Sequence, residues 1–284
     1  MLANHNSDKS VLITGCSSGI GRAIALYLAK NGFTVFASVR KDADCEQLRQ
    51  LQDPNLIPVC PLDLTRPGDI PPVMETIQAE LQRRGQAGLY ALINNAGNGG
   101  AIPLEMLDVE VFQNVLQTRL VGPVALVQAC LPLLRQGTGR ILWIMTPAIL
   151  PMKYVASIHA CDFAVNCLAR TLDLELDPWH IPVIQIRCGG IDTAGCETTD
   201  SGIESILQHP RGYLYRDALM KWAKGIGEFD QKRTPAEKVG EVVMTALNAR
   251  RPRRYYPVGH MAGTAALLET MPQPFVDMIL KSRT

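Results

Sequence analysis

The segment Thr14-Gly15-Cys16-Ser17-Ser18-Gly19-Ile20-Gly21 has the residue types and spacing that most directly imply chemistry. Its glycines allow a tight turn and let a ligand approach backbone amides, and Gly19 opens the helix-periodic run Gly19–Lys30, GIGRAIALYLAK. Free amides at a helix start carry partial positive charge and bind a dinucleotide pyrophosphate, here through Gly15, Ser17, Ser18, Gly19, Ile20 and Gly21. Arg40, with Lys41 beside it, follows the apolar run Thr34–Ser38. A carboxylate at that place would bind ribose hydroxyls and repel a 2′-phosphate, whereas a guanidinium pairs with the phosphate. The cofactor expected on this ground is NADP(H); the plainer reading of Arg40 is a solvated loop charge.

These residues need a frame, and the hydrophobic pattern supplies one. Apolar runs at 10–14 (SVLIT), 34–38 (TVFAS), 56–60 (LIPVC), 89–93 (LYALI), 140–144 (RILWI) and 183–186 (VIQI) alternate with helix-length segments, and 254–258 (RYYPV) adds a last candidate strand. Fully apolar strands in β-α-β alternation form a parallel sheet covered on both faces. The expected fold class is therefore α/β, a Rossmann-type doubly wound sheet in a single domain over residues 1–284. The stretch of about 194–233, with helical patterns near 202–208 and 213–224, is too long for an ordinary connection and is expected to be a lid or substrate segment. The tail after Val258 is apolar but interrupted by glycine and proline, and it carries no assignable element.

Composition narrows the partners. With 28 lysines and arginines against 27 acidic residues, no global field favours nucleic acid or an anionic membrane. The cluster Arg250-Arg251-Pro252-Arg253-Arg254 lacks interleaved aromatics and reads as a solvated turn. The polar N-terminus has no signal-peptide pattern, and no uncharged apolar run reaches the ~18 residues of a membrane span. The 8 cysteines show no C-x-x-C spacing and read as reduced thiols, with neither a metal site nor a disulfide framework. A cytoplasmic protein acting on a small molecule, without nucleic-acid or membrane partners, is expected.

Two further motifs follow the third and fourth strands: Asp63-Leu64 and Asn94-Asn95-Ala96-Gly97. Together with the glycine segment they resemble the short-chain dehydrogenase/reductase family, over nearly the whole chain from Val11 to Val258, and residues 131–193 are similar to its steroid- and retinol-dehydrogenase-like members. The resemblance implies that Asp63 and Leu64 meet the adenine and that Asn95, Ala96 and Gly97 line the cofactor groove. The family's Pro-Gly after the sixth strand appears as Cys188-Gly189, and Gly189 and Ile191 are expected in the same groove. A homodimer or homotetramer built from the helices over 109–135 and 157–176 is also implied.

The family's catalytic tetrad does not survive this correspondence. Counting back from Glu175-Leu176-Asp177-Pro178-Trp179 puts Asp162 at the lysine position and Ile158 at the tyrosine position. Thr146 stands for the serine, behind a loop one residue short, and Arg119 in Arg119-Leu120-Val121-Gly122 stands for the asparagine. Isoleucine cannot exchange a proton, so the general acid/base of ordinary carbonyl reduction is missing. His159 is a substitute by chemistry, but it follows Ile158 on the helix and is rotated ~100° away, which fits a structural role.

Arg119 and Asp162 carry opposite charges at two positions of one small site. Either Asp162 accepts hydrogen bonds from the nicotinamide ribose or faces a cationic substrate, with Arg119 orienting it, or the two ions neutralise each other in a dead site. Three functions remain open on this basis. The preferred one is an enzyme of altered chemistry, reducing an iminium ion or guiding a cyclisation or cycloaddition of a secondary metabolite, as tetrad-deficient family members do. The second is a cofactor-binding regulator or assembly partner, and the third a carbonyl reductase using His159 or water. Trp222 is open to two readings, stacking on a flat substrate or packing in the core.

Overall fold

The computed structural model describes residues 6, 8–193, 204, 206–230 and 232–282. Its sheet has seven parallel strands: β1 (Ser10–Ile13), β2 (Thr34–Ser38), β3 (Leu56–Val59), β4 (Ala91–Asn94), β5 (Arg140–Met145), β6 (Val183–Cys188) and, after two short strands described below, β9 (Tyr255–Val258). The spatial order is β3-β2-β1-β4-β5-β6-β9. Ile13 therefore lies beside Ala37 on one side and Ile93 on the other. The chain reverses its direction of winding between β1 and β4, and that reversal opens a crevice at the carboxyl ends of the strands.

Alternate side chains leave a strand on opposite faces, and the core divides accordingly. Val11 and Ile13 pack with Ile24 and Leu28 of helix α1 (Gly19–Lys30) on one face. Leu12 and Phe36 pack on the other with Leu92, Leu126 and Trp143. Helices α2 (Asp42–Arg49) and α3 (Ile70–Arg83) complete the first half. Trp143 is buried, as a core residue should be.

The second half is entered through one long helical run. Helix α4 (Val109–Leu116) passes into a π-helical turn, Gln117–Val121, and then into α5 (Gly122–Gln136). By length and composition the whole run, Val109–Gln136, could cross a membrane, yet Leu126, Val127, Cys130, Leu133 and Leu134 are built into the core. Helix α6 (Ala156–Glu175) lies alongside.

The stretch expected to be a lid or substrate segment is flanked by two strands that lie side by side. Strand β7 (Ile191–Asp192) pairs in parallel with β8 (Thr234–Pro235), so the segment between them leaves and returns at one place. Within it, helix α7 (Arg216–Asp230) replaces the helical pattern expected at 213–224. Of the pattern at 202–208, residues 204 and 206–208 are helical, whereas 194–203 and 205 lie outside the described residues. Helix α8 (Glu237–Asn248) returns to pack on α1. The tail that carried no assignment forms α9 (Ala262–Glu269) and α10 (Gln273–Ser282).

One expectation is overturned here. Cys45 of α2 and Cys60 at the end of β3 form a disulfide, 15 residues apart in sequence. The packing of α2 on β3 brings their Cα atoms to 6.3 Å, a proximity that spacing along the chain did not announce. Cysteine usage therefore no longer speaks for a cytoplasmic location. The other cysteines among the described residues, 16, 130, 161, 167 and 188, are free.

Candidate functional site

A cleft of about 550 Å³ runs along the carboxyl ends of β1, β2, β4, β5 and β6, and all fourteen residues expected to hold the cofactor line it. Gly15 and Gly19 have φ of +73° and +55°, the left-handed region that glycine enters without strain. A Cβ on Gly21 would come within 2.2 Å of the Gly15 carbonyl oxygen, so α1 can meet the turn this closely only with glycine there. The first turn of α1 contains no acidic residue, and the Ser18 side chain makes no capping hydrogen bond among the described residues. Its amides are left to an anion, which is the fit that a dinucleotide pyrophosphate requires.

Side chains at the end of β4 lock the turn. The Asn95 Nδ2 group donates to the carbonyls of Thr14 (2.9 Å) and Gly15 (3.3 Å), while the Thr14 hydroxyl accepts from the amides of Asn95 and Ala96. At the adenosine end the cleft carries Arg40, Asp44 and Asp63. Burial works against ionisation of Asp63, but hydrogen bonds from the Thr65 hydroxyl and amide, with the charges of Arg66 and Arg40, hold its carboxyl below the usual range. Asp44 was missed in the sequence because it sits in the first turn of α2, beyond the strand end where the discriminating charge was sought.

At the opposite end, Arg119 and Thr146 line the cleft, and Asp162 and Ile158 do not. Asp162 lies behind Arg119, its side chain only 5% exposed. One carboxylate oxygen accepts from Arg119 Nη2 at 3.1 Å and the other from the Thr146 amide at 2.9 Å. The opposite charges thus meet as expected, but the face turned to the cleft is the guanidinium. The direct contact expected of Asp162 with a ribose or cationic substrate is not part of this arrangement, because α6 points the side chain inward beneath the loop after β5.

Arg119 stands in the π-helical turn, which redirects its side chain over the loop after β4. A Cβ on Gly97 would lie 2.4 Å from Arg119 Nη1, so glycine makes room for the cation. The buried Nε has no partner among the described residues. Ile158 covers Gly99, at which a Cβ would come within 2.7 Å of its Cγ1. The Thr146 hydroxyl reaches the Ala148 carbonyl at 3.5 Å, a long contact.

Other titratable groups near the reacting end include His159 and Cys188. His159 is buried and places Nδ1 2.8 Å from the Leu150 carbonyl, which requires Nδ1 to carry the proton. Burial is the main influence on its pKa and lowers it, so the ring is neutral and faces the loop, not the cleft. Cys188 does line the cleft, but burial pushes its thiol up to about 12 and keeps it un-ionised. Trp222 of α7 meets Tyr154 edge-on with ring centroids 5.6 Å apart. Leu219, Ile206, Met106 and Ile102 pack in the same cluster as Tyr154, so the inserted segment rests on the loops after β4 and β5.

A doubly wound sheet with this cradle defines a dinucleotide-binding oxidoreductase fold. The family model for short chain dehydrogenases matches residues 9–203, and the chain belongs to that family. It is 32% identical over 265 residues to human 11-beta-hydroxysteroid dehydrogenase type 2, covering 88% of this chain and 64% of that protein. It is 29% identical over 287 residues to mouse retinol dehydrogenase 5, covering 96% of this chain and 88% of the relative. The chain therefore spans less than two thirds of the human steroid dehydrogenase. Among solved structures, a short-chain dehydrogenase from Streptomyces avermitilis superposes with a TM-score of 0.73 at 22% identity, covering 96% of this chain and 92% of that one. An alcohol dehydrogenase from Thermococcus sibiricus complexed with 5-hydroxy-NADP superposes with a TM-score of 0.68 at 20% identity, over 93% and 99% of the two chains. The relatives are oxidoreductases, and the family uses nicotinamide cofactors.

Proposed function

We propose that the protein is an NADP(H)-dependent biosynthetic oxidoreductase acting on a substrate that needs no proton from the enzyme: an iminium ion, reduced directly, or a precursor guided through cyclisation or cycloaddition. The observation that carries this reading is the contrast between the two ends of the cleft. Its dinucleotide cradle is complete, while its reacting end is lined by Arg119 and Thr146, with His159 buried and turned to the Leu150 carbonyl. The nicotinamide cofactor supplies hydride.

Reduction of an iminium gives a neutral amine without protonation, so Ile158 in place of an acid is no handicap. Asp162 neutralises Arg119 from behind, so the pair carries no net charge beside the reacting end. Arg40 at the adenosine end of the cleft supports NADP(H) over NAD(H). Exposed Val109, Val111, Phe163 and Leu174 on α4 and α6 support self-association through that face.

The test is NADPH consumption with a cyclic iminium, N-methyl-3,4-dihydroisoquinolinium, against cyclohexanone. Turnover of the iminium alone is expected. Reduction of the ketone with a rate following a single ionisation would instead restore a carbonyl reductase with an unrecognised acid. Tight NADPH binding without turnover of iminium or cyclisable probes would favour a cofactor-binding regulator.

A further inference from the structure

The family model ends at residue 203, yet the tail beyond β9 is fastened to both loops that bound the reacting end of the cleft. Its beginning is pinned to the loop after β6. Gly189 N donates to Val258 O, and Gly190 and His260 exchange amide–carbonyl hydrogen bonds. A Cβ on Gly189 would lie 2.1 Å from the His260 carbonyl oxygen, so cleft wall and tail are in backbone contact. From there α9 runs eight residues to Glu269, about 12 Å at 1.5 Å per residue.

Glu269 then reaches the other wall. Its Oε2 accepts from the Ile149 amide at 3.3 Å, three residues beyond Thr146 in the loop after β5. The same oxygen pairs with Arg187 of β6, whose side chain is 3% exposed. Arg187 is itself fully engaged: it donates to Gln185 Oε1 and Asn166 Oδ1 and lies 3.9 Å over the Tyr255 ring. Apolar contact backs the link, since Ala148 and Leu150 of the loop cluster with Ala265, Leu268, Val276 and Leu280 of the tail.

The loop is therefore held at successive points: the Thr146 amide by Asp162, the Ile149 amide by Glu269 and the Leu150 carbonyl by His159. We propose that Glu269 is a positioning residue through which the C-terminal helices brace the loop after β5 against β6 and fix the width of the reacting end. Glu269 does not line the cleft; it acts through Ile149 and Arg187. The reaction itself rests on the function proposed above, and the brace does not.

The test is hydrogen–deuterium exchange on the full chain with Glu269→Ala, Glu269→Gln and the double variant Glu269→Ala with Arg187→Met. Loss of a charge-assisted hydrogen bond should raise exchange in residues 146–150 by about tenfold in Glu269→Ala. Strands β1, β2 and β4 should stay protected, and the NADPH dissociation constant should move by less than about threefold. Glutamine retains an acceptor oxygen, so Glu269→Gln should recover part of the Ile149 protection. The double variant also strips Gln185 and Asn166 of their donor, so it should be less stable than Glu269→Ala, with exchange at 146–150 no lower than in Glu269→Ala.

Unchanged exchange at 146–150, or an equal rise across the sheet, would overturn the brace. With the iminium probe, Glu269→Ala should lower kcat while leaving NADPH affinity in place. Absence of turnover in the wild type beside localised loop exchange would count against the proposed reaction and leave the brace standing.

Discussion

Asp162→Asn separates two meanings of the charged pair. Asparagine keeps an oxygen for the Thr146 amide but presents an amide NH2 to Arg119, so donor meets donor and a largely buried cation loses its counter-charge. Breaking a buried pair from one side costs about 3–5 kcal/mol. Arg119 keeps 19% exposure along the cleft, so solvent screening reduces this to about 2–3 kcal/mol. At roughly 2 °C per kcal/mol for a chain of this size, Tm should fall by about 5 °C. Because Asp162 does not line the cleft, NADP⁺ affinity measured by calorimetry should change by less than about threefold, equivalent to ~0.65 kcal/mol. Adding Arg119→Gln removes the unpaired cation, and the double-mutant cycle should return a coupling of about 2 kcal/mol. An unchanged Tm together with a roughly tenfold loss of affinity would refute this reasoning and place the carboxylate on the cofactor.

Three other perturbations follow from the same geometry. Arg40→Ser should weaken NADPH about 10- to 100-fold while leaving NADH nearly unaffected, the value of a lost charge-assisted hydrogen bond to the 2′-phosphate; equal effects on both nucleotides would make Arg40 a solvated charge. Reducing Cys45–Cys60 with a phosphine, or replacing both by alanine, should cost about 3 kcal/mol for a closed loop of this size, and an unaltered denaturation midpoint would contradict it. Burial depresses the folded-state pKa of His159, so its contribution to stability is fully present above the unfolded value of about 6.5. It is lost as pH falls from there through the folded pKa, because the unfolded chain takes up the proton first. His159→Asn should therefore show a shallower loss of stability on acidification than the wild type, and parallel urea-melt profiles would exclude His159 from that role.

Much of the cofactor half was legible because its determinants are local. The glycines at 15, 19 and 21 must sit between a strand and a helix for steric reasons that hold in any surroundings, and helix α1 begins and ends where its apolar period does. Strand β2 matches its apolar run, and the other strands differ from theirs by one or two residues at the ends, where pairing geometry rather than residue type sets the limit. The tail was unreadable for the converse reason. Helix α9 has no amphipathic stripe of its own, and it is held by Glu269 and by apolar contacts with a loop more than a hundred residues earlier.

Residue order alone supplied the correspondence that sets Ile158 and Asp162 at the positions of the family's tyrosine and lysine, and Arg119 opposite in charge to Asp162. Tertiary structure decided what those charges do. A π-helical turn, invisible in the order of residues, aims Arg119 into the cleft, while the packing of α6 against the loop after β5 turns Asp162 inward onto the Thr146 amide. Likewise, Cys45 and Cys60 are joined because α2 docks on β3, not because of their spacing. The order of residues sets which groups are present and how neighbouring residues bend the chain. The direction in which a buried side chain points depends on contacts between distant segments, and those exist only once the chain has folded.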